Sequence, residues 1–444
     1  MDTERSMVPA VRSALAAACP LLWDGSASKA VAGIVPSFVA SPASTEEASA
    51  LLRAAAAAGL AVVPRGAGTG LSWGSPPSSC DLVVDLRLMD RVIEHAAGDL
   101  VARVQAGVTI GQLATVLASA GQQLAVDAPE DATVGGVVAT GTAGPRRFRY
   151  GAPRDLLIGL TVVRADGVIA HSGGKVVKNV AGYDLGKLFS GSQGTLGLIT
   201  EATFRLHPLP AAVAWVTGEF GPSDRAGAVA AVAAAAGSAL VPSAVELDWP
   251  GGSQRALRVG VLVEGTSSGV AERAKQLSEL LAAAGGAAAV ADVPPARWGQ
   301  LPSGSAVIRV SFWVSSLGSV LEALASAGAD AGVRPAVSGP AGAGALYACL
   351  DRTTSDDAAA RFVTVLRERI GSDPSSLGAR GSVIVLAASA PVLETVSATG
   401  TIPGAALMRA VKDQFDPGHR MFPGRFAVLS RGDDPPRPPR GKDD

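Results

Sequence analysis

Residues 64–74 read Pro64-Arg65-Gly66-Ala67-Gly68-Thr69-Gly70-Leu71-Ser72-Trp73-Gly74, and this stretch decides the fold. It follows a short apolar segment, residues 60–63, which predicts a β-strand. Because glycine has no Cβ, alternate glycines let successive backbone N–H groups point toward one centre and let a ligand approach closely. The pattern predicts a nest for a phosphate, with Arg65 adding charge. An ordinary glycine-rich turn would have the same composition.

Two better-known phosphate loops do not fit this stretch. A Rossmann fingerprint counted from Gly66 requires a third glycine where the chain has Leu71, and it requires a helix that the sequence does not predict. A Walker loop requires Gly-Lys followed by Ser or Thr, which is absent here. If the turn binds phosphate, it therefore belongs to neither the Rossmann nor the Walker class.

Two further segments have the same glycine-rich character. Residues 129–144 read Pro-Glu-Asp-Ala-Thr-Val-Gly-Gly-Val-Val-Ala-Thr-Gly-Thr-Ala-Gly, and residues 191–201 read Gly-Ser-Gln-Gly-Thr-Leu-Gly-Leu-Ile-Thr-Glu. Each alone is weak evidence. Three such segments beside predicted strands indicate a binding site built from loops rather than three unrelated turns.

Helices and strands are predicted around these segments. A helix is expected over 44–59, where Ser44 or Thr45 can cap it and Glu46 and Glu47 favour its N-terminus. Asp166-Gly167 predicts a hairpin between strands 156–164 and 168–171. From residue 211 onward, Ala-rich helical runs alternate with short strands, a pattern typical of one antiparallel sheet with helices on one face. The glycines and prolines of 332–344 predict a loop.

Composition excludes several classes of function. The chain has 38 basic and 39 acidic residues, which argues against a nucleic-acid partner and gives no polybasic handle for a membrane. No stretch is predicted to span a membrane. Three scattered cysteines favour reduced thiols and a cytoplasmic location, and four dispersed histidines predict no metal site.

The sequence resembles the FAD-binding domain of the vanillyl-alcohol oxidase, or PCMH, type, and within it the smaller FAD-binding subunits of bacterial glycolate oxidases. The resemblance is carried by Gly-Gly-Lys-Val-Val-Lys-Asn-Val-Ala-Gly-Tyr-Asp-Leu at 173–185 and Lys-Leu-Phe at 187–189, before the 191–201 segment. Near the end, Phe-Asp-Pro at 415–417 and Phe-Pro-Gly-Arg at 422–425 match the segment that returns to the FAD domain in this family.

The resemblance implies an α+β protein with a PCMH-type FAD-binding domain of two subdomains, followed by an α+β cap domain with an antiparallel sheet. The implied division is an N-terminal helix or extension (1–29), the FAD-binding domain (30–210), a cap for substrate or partner (211–408), a C-terminal return to the FAD domain (409–430) and a disordered tail (431–444).

The resemblance also implies the cofactor, FAD, and the residues that hold it. The family pattern places Pro64, Arg65, Gly66, Ala67, Gly68, Thr69, Gly70, Leu71 and Gly74 on the pyrophosphate. It places Pro129, Thr133, Gly135, Gly136, Thr140 and Gly144 along the flavin and its diphosphate, and Gly197 and Ile199 at the adenine or ribityl part. Members that attach FAD covalently have a histidine in the glycine turn. This chain has Thr69 near that place, which implies non-covalent FAD.

Two departures separate the chain from relatives that oxidise 2-hydroxy acids alone. Those relatives typically carry an H-x-G-D-G-N segment in the cap, which helps to bind a metal and the substrate, whereas residues 211–409 of this chain contain no histidine. Gln193 stands where relatives often have glutamate. The catalytic residues are therefore unknown, and no metal is expected.

Weak candidates for catalysis are Lys178, Tyr183 and Arg425. Lys178 and Tyr183 could orient substrate or flavin, or be a solvated and a packed side chain, and Arg425 could stabilise negative charge on the reduced flavin. Structural or surface roles are favoured for Asp184, His171, His207 and His419.

The favoured interpretation is the FAD-binding subunit of a complex that oxidises a small 2-hydroxy acid such as glycolate. By resemblance its partners are a second FAD-binding subunit and an iron–sulfur subunit, which would accept the electrons, at a cytoplasmic site or peripherally at the inner face of the membrane. A stand-alone FAD-dependent 2-hydroxy acid dehydrogenase and a structural subunit that has lost flavin remain open alternatives. The sequence does not name the substrate.

Overall fold

Two small sheets form the first half of the chain in the computed structural model, which describes residues 2–174, 184–251, 256–371 and 381–426. The first sheet has the order β1-β2-β4-β3, in which β2, β4 and β3 run parallel and β1 is antiparallel. Ser44 caps the second helix through Glu47 N, as predicted. The elements are α1 (Asp2–Ala18), β1 (Leu22–Asp24), β2 (Phe38–Ala40), α2 (Thr45–Ala57), β3 (Val62–Arg65) and β4 (Leu82–Asp85).

The second sheet is antiparallel and has the order β5-β6-β10-β8-β9. The hairpin predicted at Asp166-Gly167 is confirmed, because β8 pairs with β9 and Asp166 Oδ1 accepts a hydrogen bond from Val168 N at 3.0 Å. The elements are β5 (Val92–Ala96), β6 (Val101–Gln105), α3 (Ile110–Ala118), β7 (Gln122–Gln123), α4 (Val134–Thr140), α5 (Arg147–Tyr150), α6 (Pro153–Leu156), β8 (Leu157–Arg164), β9 (Ile169–Gly173), α7 (Leu185–Phe189), β10 (Gly197–Arg205) and β11 (His207–Pro208).

An eight-stranded antiparallel sheet of order β15-β12-β14-β13-β17-β18-β16-β19 follows. The loop predicted for 332–344 was wrong in part: residues 336–339 form β17, which completes the sheet between β13 and β18. The elements are β12 (Ala212–Phe220), α8 (Arg225–Ala236), β13 (Ala244–Trp249), β14 (Leu257–Gly265), α9 (Ser267–Ala283), β15 (Ala287–Ala291), β16 (Ala306–Phe312), α10 (Leu317–Ala331), β17 (Ala336–Gly339), β18 (Ala345–Leu350), α11 (Asp356–Ile370), β19 (Gly381–Ala387) and α12 (Ala390–Thr395).

The two faces of this sheet differ in chemistry. Alternate residues such as Leu247, Ile308 and Leu346 are buried under helices α8–α11 and form one apolar core. Because side chains alternate along a strand, their neighbours face the other way. That opposite face carries Glu246 on β13, Arg309 on β16 and Tyr347 on β18, and it lines a cavity against the first half of the chain.

The chain ends by returning to the first sheet. Helix α13 (Ala405–Phe415) leads to a segment that exchanges hydrogen bonds with β3, from Val62 N to Arg420 O and from Phe422 N to Val62 O, both 2.8 Å long. The Lys412 ammonium is buried and donates to Asp416, Thr195 O and Met421 O, so the return is anchored through polar contacts as well as packing.

Contacts at two places join the first half of the chain to the eight-stranded sheet. The Tyr150 hydroxyl donates to Glu264 Oε2 at 2.9 Å, and Phe148 packs against the apolar core of the sheet. At the far end, Gly74 N donates to Leu386 O at 2.6 Å. The α+β architecture therefore has two subdomains in the first half of the chain, followed by a cap, as the resemblance implied.

Within these described residues, no helix is both long and apolar enough to cross a membrane.

Candidate active site

The glycine turn lines a small cavity of about 90 Å³ between the two small sheets of the first half of the chain. The structure brings to this cavity most of the residues that the sequence assigned to FAD. They are Pro64, Arg65, Gly66, Ala67, Gly68, Thr69, Gly70, Leu71, Thr133, Gly135, Gly136, Thr140, Gly197 and Ile199.

Five successive backbone N–H groups in the turn are unused. Leu71 N donates to Gly68 O and Trp73 N donates to Gly70 O, but the N–H groups of residues 66–70 have no acceptor within the described ranges. Gly68 has φ +89°, a left-handed conformation that glycine adopts without strain. The Nε atom of Arg65 is also buried without a partner. This donor set fits a pyrophosphate, which accepts many hydrogen bonds and carries negative charge.

Close packing explains why glycine occupies the turn. A Cβ at Gly66 would lie 2.0 Å from Thr133 Oγ1, and a Cβ at Gly70 would lie 2.8 Å from Thr140 Cγ2. Thr133 caps helix α4 by accepting from Gly136 N at 3.3 Å. The N-cap and the last residue of α4 therefore pack against the turn, and no side chain fits between them.

Three of the predicted FAD residues, Gly74, Pro129 and Gly144, lie instead along a larger cavity. Gly74 N donates to Leu386 O at 2.6 Å, so it is not among the free N–H groups of the turn. Gly144 is packed against Asp127, which a Cβ would meet at 2.6 Å. The candidates Lys178 and Tyr183 lie outside the described residues.

Arg425 holds the carbonyl side of the glycine turn. Its guanidinium is buried and donates to Gly70 O at 3.0 Å, Leu71 O at 3.2 Å and Ser75 O at 3.4 Å. Its Nε donates to Gln193 Oε1 at 2.7 Å, which gives Gln193 a role in joining the turn to the 191–201 segment. Desolvation lowers the pKa of Arg425 to about 10, so it is a cation at neutral pH. Arg425 lines both cavities.

The larger cavity measures about 1450 Å³ and lies between the glycine segments and the cap sheet. The cap contributes Glu246, Arg309 and Tyr347, and Arg147 lies on α5 at the FAD-side wall. Arg309 and Tyr347 are register partners on adjacent strands. The Nε atom of Arg309 is buried and has no hydrogen-bond partner among the described residues.

Burial shifts the pKa values of these cap groups. Desolvation raises the pKa of Glu246 to about 8, and the hydrogen bond from Gly299 N to its Oε2 at 3.3 Å opposes this only in part. Desolvation raises the pKa of Tyr347, so its hydroxyl stays protonated at neutral pH. Desolvation lowers the pKa of Arg309, because no carboxylate compensates its charge. Perturbed groups in one cavity are characteristic of a functional site.

These three cap residues were not predicted from the sequence. Each stands in a strand whose neighbours are apolar, as in Val-Ile-Arg-Val at 307–310 and Ala-Val-Glu-Leu at 244–247. A polar residue inside a strand that would otherwise be buried was the available signal. It could not show that the three residues share a face, because β13, β16 and β18 are not consecutive in the chain.

The histidines lie elsewhere. His419 Nε2 lies 2.6 Å from Asp413 Oδ1, His171 is exposed near Thr161 Oγ1, and the His207 ring contacts Tyr150. None of them lines either cavity. Asp184 caps α7, the structural role that was favoured for it. The described part of the chain holds no group of three or more His, Cys, Asp or Glu side chains that could bind a metal.

Comparison with known families gives a direct match for the first half of the chain. Residues 36–173 match the model of the family described as FAD binding domain. Three curated relatives align over a similar length. Glycolate oxidase subunit GlcD of Bacillus subtilis is 39% identical over 178 residues, 40% of this chain and 38% of that protein. D-lactate dehydrogenase of Archaeoglobus fulgidus is 42% identical over 171 residues, 38% of each chain. D-2-hydroxyglutarate dehydrogenase of Xanthomonas citri is 38% identical over 177 residues, 39% of this chain and 38% of that protein.

Solved structures resemble the whole chain. p-Cresol methylhydroxylase with substrate bound superposes with a TM-score of 0.74 at 17% identity, covering 94% of this chain and 96% of that one. Alkyldihydroxyacetonephosphate synthase superposes with a TM-score of 0.65 at 17% identity, covering 91% and 82%. At such identities the likeness shows the fold alone.

The fold is therefore the PCMH, or vanillyl-alcohol oxidase, type of FAD-binding fold, and FAD is the cofactor. The unused N–H groups of the glycine turn fit that cofactor. The alignments span less than half the length of the curated relatives, at 38% of each.

Replacing Arg425 should weaken FAD binding more than it weakens the fold. We expect Arg425→Ala to reduce FAD affinity roughly tenfold or more, because a hydrogen bond to a charged group contributes about 1.5–3 kcal/mol and three turn carbonyls lose their donor. Titration of the apoprotein with FAD measures the effect. The matched control is Arg420→Ala, which removes an arginine that also donates to backbone carbonyls, Leu60 O and Ala165 O, away from the turn. Equal FAD affinity in the two variants would contradict the role given to Arg425.

Proposed function

We propose that the chain is the FAD-binding subunit of a complex that oxidises a small 2-hydroxy acid, of which glycolate is the simplest, and passes the electrons to a partner subunit. Bound FAD supplies the two-electron acceptor. The protein contributes the site that binds the acid, orients it and keeps water away.

The observation that carries this proposal is the guanidinium of Arg309, which lines the large cavity and whose buried Nε atom has no hydrogen-bond partner among the described residues. A buried nitrogen of an arginine normally has a carboxylate or carbonyl partner. A guanidinium forms two parallel hydrogen bonds with a carboxylate, which would supply the missing partner. Arg147 adds a second positive charge to the same cavity. The site is therefore suited to an anionic substrate with a carboxylate group.

The aligned relatives support the same class of substrate. The names of the three relatives refer to glycolate, D-lactate and D-2-hydroxyglutarate, which are all 2-hydroxy acids. The similarity to a glycolate oxidase subunit also supports membership of a complex. The position of this chain as the smaller of two flavin subunits is part of the proposal.

The same proposal assigns the FAD-binding residues. The N–H groups of residues 66–70, with Arg65 beside them, bind the pyrophosphate, and the threonines and glycines of α4 follow the diphosphate toward the flavin. Thr69 stands near the place of the histidine in covalently flavinylated proteins, and threonine has no ring nitrogen to form that bond. FAD is therefore held non-covalently.

Purified protein tests the flavin assignment directly. We expect a yellow protein whose flavin stays in solution when acid precipitates the polypeptide. Gly66→Ala should lower FAD affinity roughly tenfold, because its Cβ would overlap Thr133 Oγ1 and overpacking costs about 1–3 kcal/mol. Gly98→Ala, where a Cβ meets nothing within 4 Å, is the control. A colourless protein that FAD does not reconstitute would support a structural subunit, and flavin that precipitates with the polypeptide would overturn non-covalent binding.

Removing the free guanidinium tests the substrate class. Arg309→Met should raise the Kd for oxalate and the KM for glycolate or D-lactate by roughly tenfold or more, with FAD content unchanged. Stability should not fall, because the variant removes a buried charge that has no partner. Arg258→Met is the control: Arg258 is on the same sheet, lies outside the large cavity and is already paired with Glu219 at 2.5 Å. Unchanged oxalate binding in Arg309→Met would reject a carboxylate site at this residue.

The proposal of an iron–sulfur partner subunit follows from the positions of the cysteines in this chain. Its cysteines, Cys19, Cys80 and Cys349, are free, buried and placed in three different clusters, so they cannot jointly hold an iron–sulfur cluster. Electrons that leave by such a cluster need another chain. The free thiols also support a reducing, cytoplasmic location.

Affinity purification of tagged chain from its native cells tests the complex. We expect an iron–sulfur protein and a second flavoprotein to co-purify. We also expect the isolated chain to be reduced by substrate but to need an artificial acceptor for turnover. If the chain purifies without partner proteins and oxygen rapidly reoxidises its reduced flavin, the stand-alone enzyme is favoured.

A further inference from the structure

We propose that Glu246 is the group that accepts the proton of the substrate hydroxyl. The inference deepens the proposed function and rests on it, because it names a catalytic residue of the same site.

The position of Glu246 is set by the sheet. It lies on β13, between Val245 and Leu247, which are both buried in the apolar core on the helix-covered face. Glu246 must therefore point to the opposite face, where it lines the large cavity with Arg309 and Tyr347. One carboxylate oxygen, Oε2, accepts a hydrogen bond from Gly299 N, and the other has no partner within the described ranges. The carboxylate is thus held in place and has one oxygen available to a ligand.

Charged groups approach Glu246 from every side of the site. Its two acidic neighbours are already paired, Asp127 with Arg146 and Asp248 with Arg297. Arg258 on β14 is paired with Glu219. Tyr347, Arg309 and Arg147 complete the cavity wall. No basic side chain forms an ion pair with Glu246 in the described part of the chain. Burial therefore dominates, and the pKa of about 8 keeps protonated and ionised forms both populated near neutral pH.

A pKa close to the working pH suits a general base, because the group must be ionised often enough to act and basic enough to take the proton. In the reaction proposed here, the C–H and O–H bonds of the 2-hydroxy acid break and a C=O double bond forms. The hydroxyl proton moves to Glu246, and the C–H hydrogen leaves with two electrons to oxidised FAD, so the product is a 2-oxo acid. Glu246 then returns its proton to solvent through the cavity.

The other cavity groups suit different tasks. The raised pKa of Tyr347 keeps its hydroxyl protonated, so it serves as a hydrogen-bond donor to the substrate and not as a base. Arg309 is a permanent donor for the carboxylate. The cap sequence 211–409 contains no histidine. Among the described residues that line the large cavity, Glu246 supplies the carboxylate from the cap sheet.

The kinetic test is Glu246→Gln, which keeps the size of the side chain and an oxygen to accept from Gly299 N. The rate of flavin reduction by the 2-hydroxy acid should fall roughly 10²–10⁴-fold. In the unchanged protein that rate should rise with pH through an inflection near 8, because only the carboxylate form accepts a proton. The inflection should be lost in Glu246→Gln. Glu219→Gln, the same substitution on β12 of the same sheet, should retain the unchanged rate and pH profile.

A second measurement does not depend on turnover. Binding of the dianion oxalate beside Glu246 should raise its pKa further, so the protein should take up a proton on binding near pH 8. Calorimetry in buffers of different ionisation enthalpy measures this uptake. We expect uptake in the unchanged protein and in Glu219→Gln, and none in Glu246→Gln, with oxalate still bound in all three.

The outcomes separate this inference from the proposed function. Oxalate binding and flavin reduction in the unchanged protein, with the same pH profile and proton uptake in Glu246→Gln, would overturn the role of Glu246 alone. No oxalate binding and no reduction by any 2-hydroxy acid would overturn the proposed function, and this inference with it.

Discussion

The structure of the site depends on how the polar groups of one glycine turn are divided. Arg425, brought back by the C-terminal segment, binds the carbonyl oxygens of Gly70, Leu71 and Ser75. Residues 66–70 line the small cavity, and their N–H groups have no acceptor among the residues that the structure describes. Buried or half-buried backbone groups without hydrogen-bond partners destabilise a fold. A bound ligand that accepts hydrogen bonds from these N–H groups would remove that cost, whereas an ordinary turn would retain it.

The same turn also positions the cap. Its last residue, Gly74, donates to Leu386 O on β19, and the cap strand next to it, β16, carries Arg309. Helix α5 contacts β13 at the other end and contributes Arg147 to the wall of the same cavity. Two attachment points on either side of a cavity hold the cofactor loops and the cap face in register. The substrate chemistry then follows from which side chains the cap sheet turns toward the cavity.

Electrostatics gives the cavity its selectivity. Arg309 and Glu246 are half-buried on one face of one sheet, and among the described residues neither forms an ion pair. An ion pair between Arg309 and Glu246 would raise the pKa of the arginine and lower the pKa of the glutamate, which is the opposite of the shifts found here. Rigid strands keep them as separate donors and acceptors, so an incoming hydroxy acid can provide a carboxylate for one and a hydroxyl proton for the other.

The sequence by itself determined the cofactor side of the protein. Alternate glycines, the helix capped at Ser44 and the hairpin at Asp166-Gly167 are local features, because the physical causes are backbone freedom, capping and turn geometry within a few residues. Only the tertiary structure decided the cap side. It recruited residues 336–339 as a strand, engaged Gly74 N with Leu386 O, and brought Glu246, Arg309 and Tyr347 onto one face. Those three residues lie on strands that are distant in the chain, and pairing between distant strands is set by packing of the whole sheet, which no local pattern encodes.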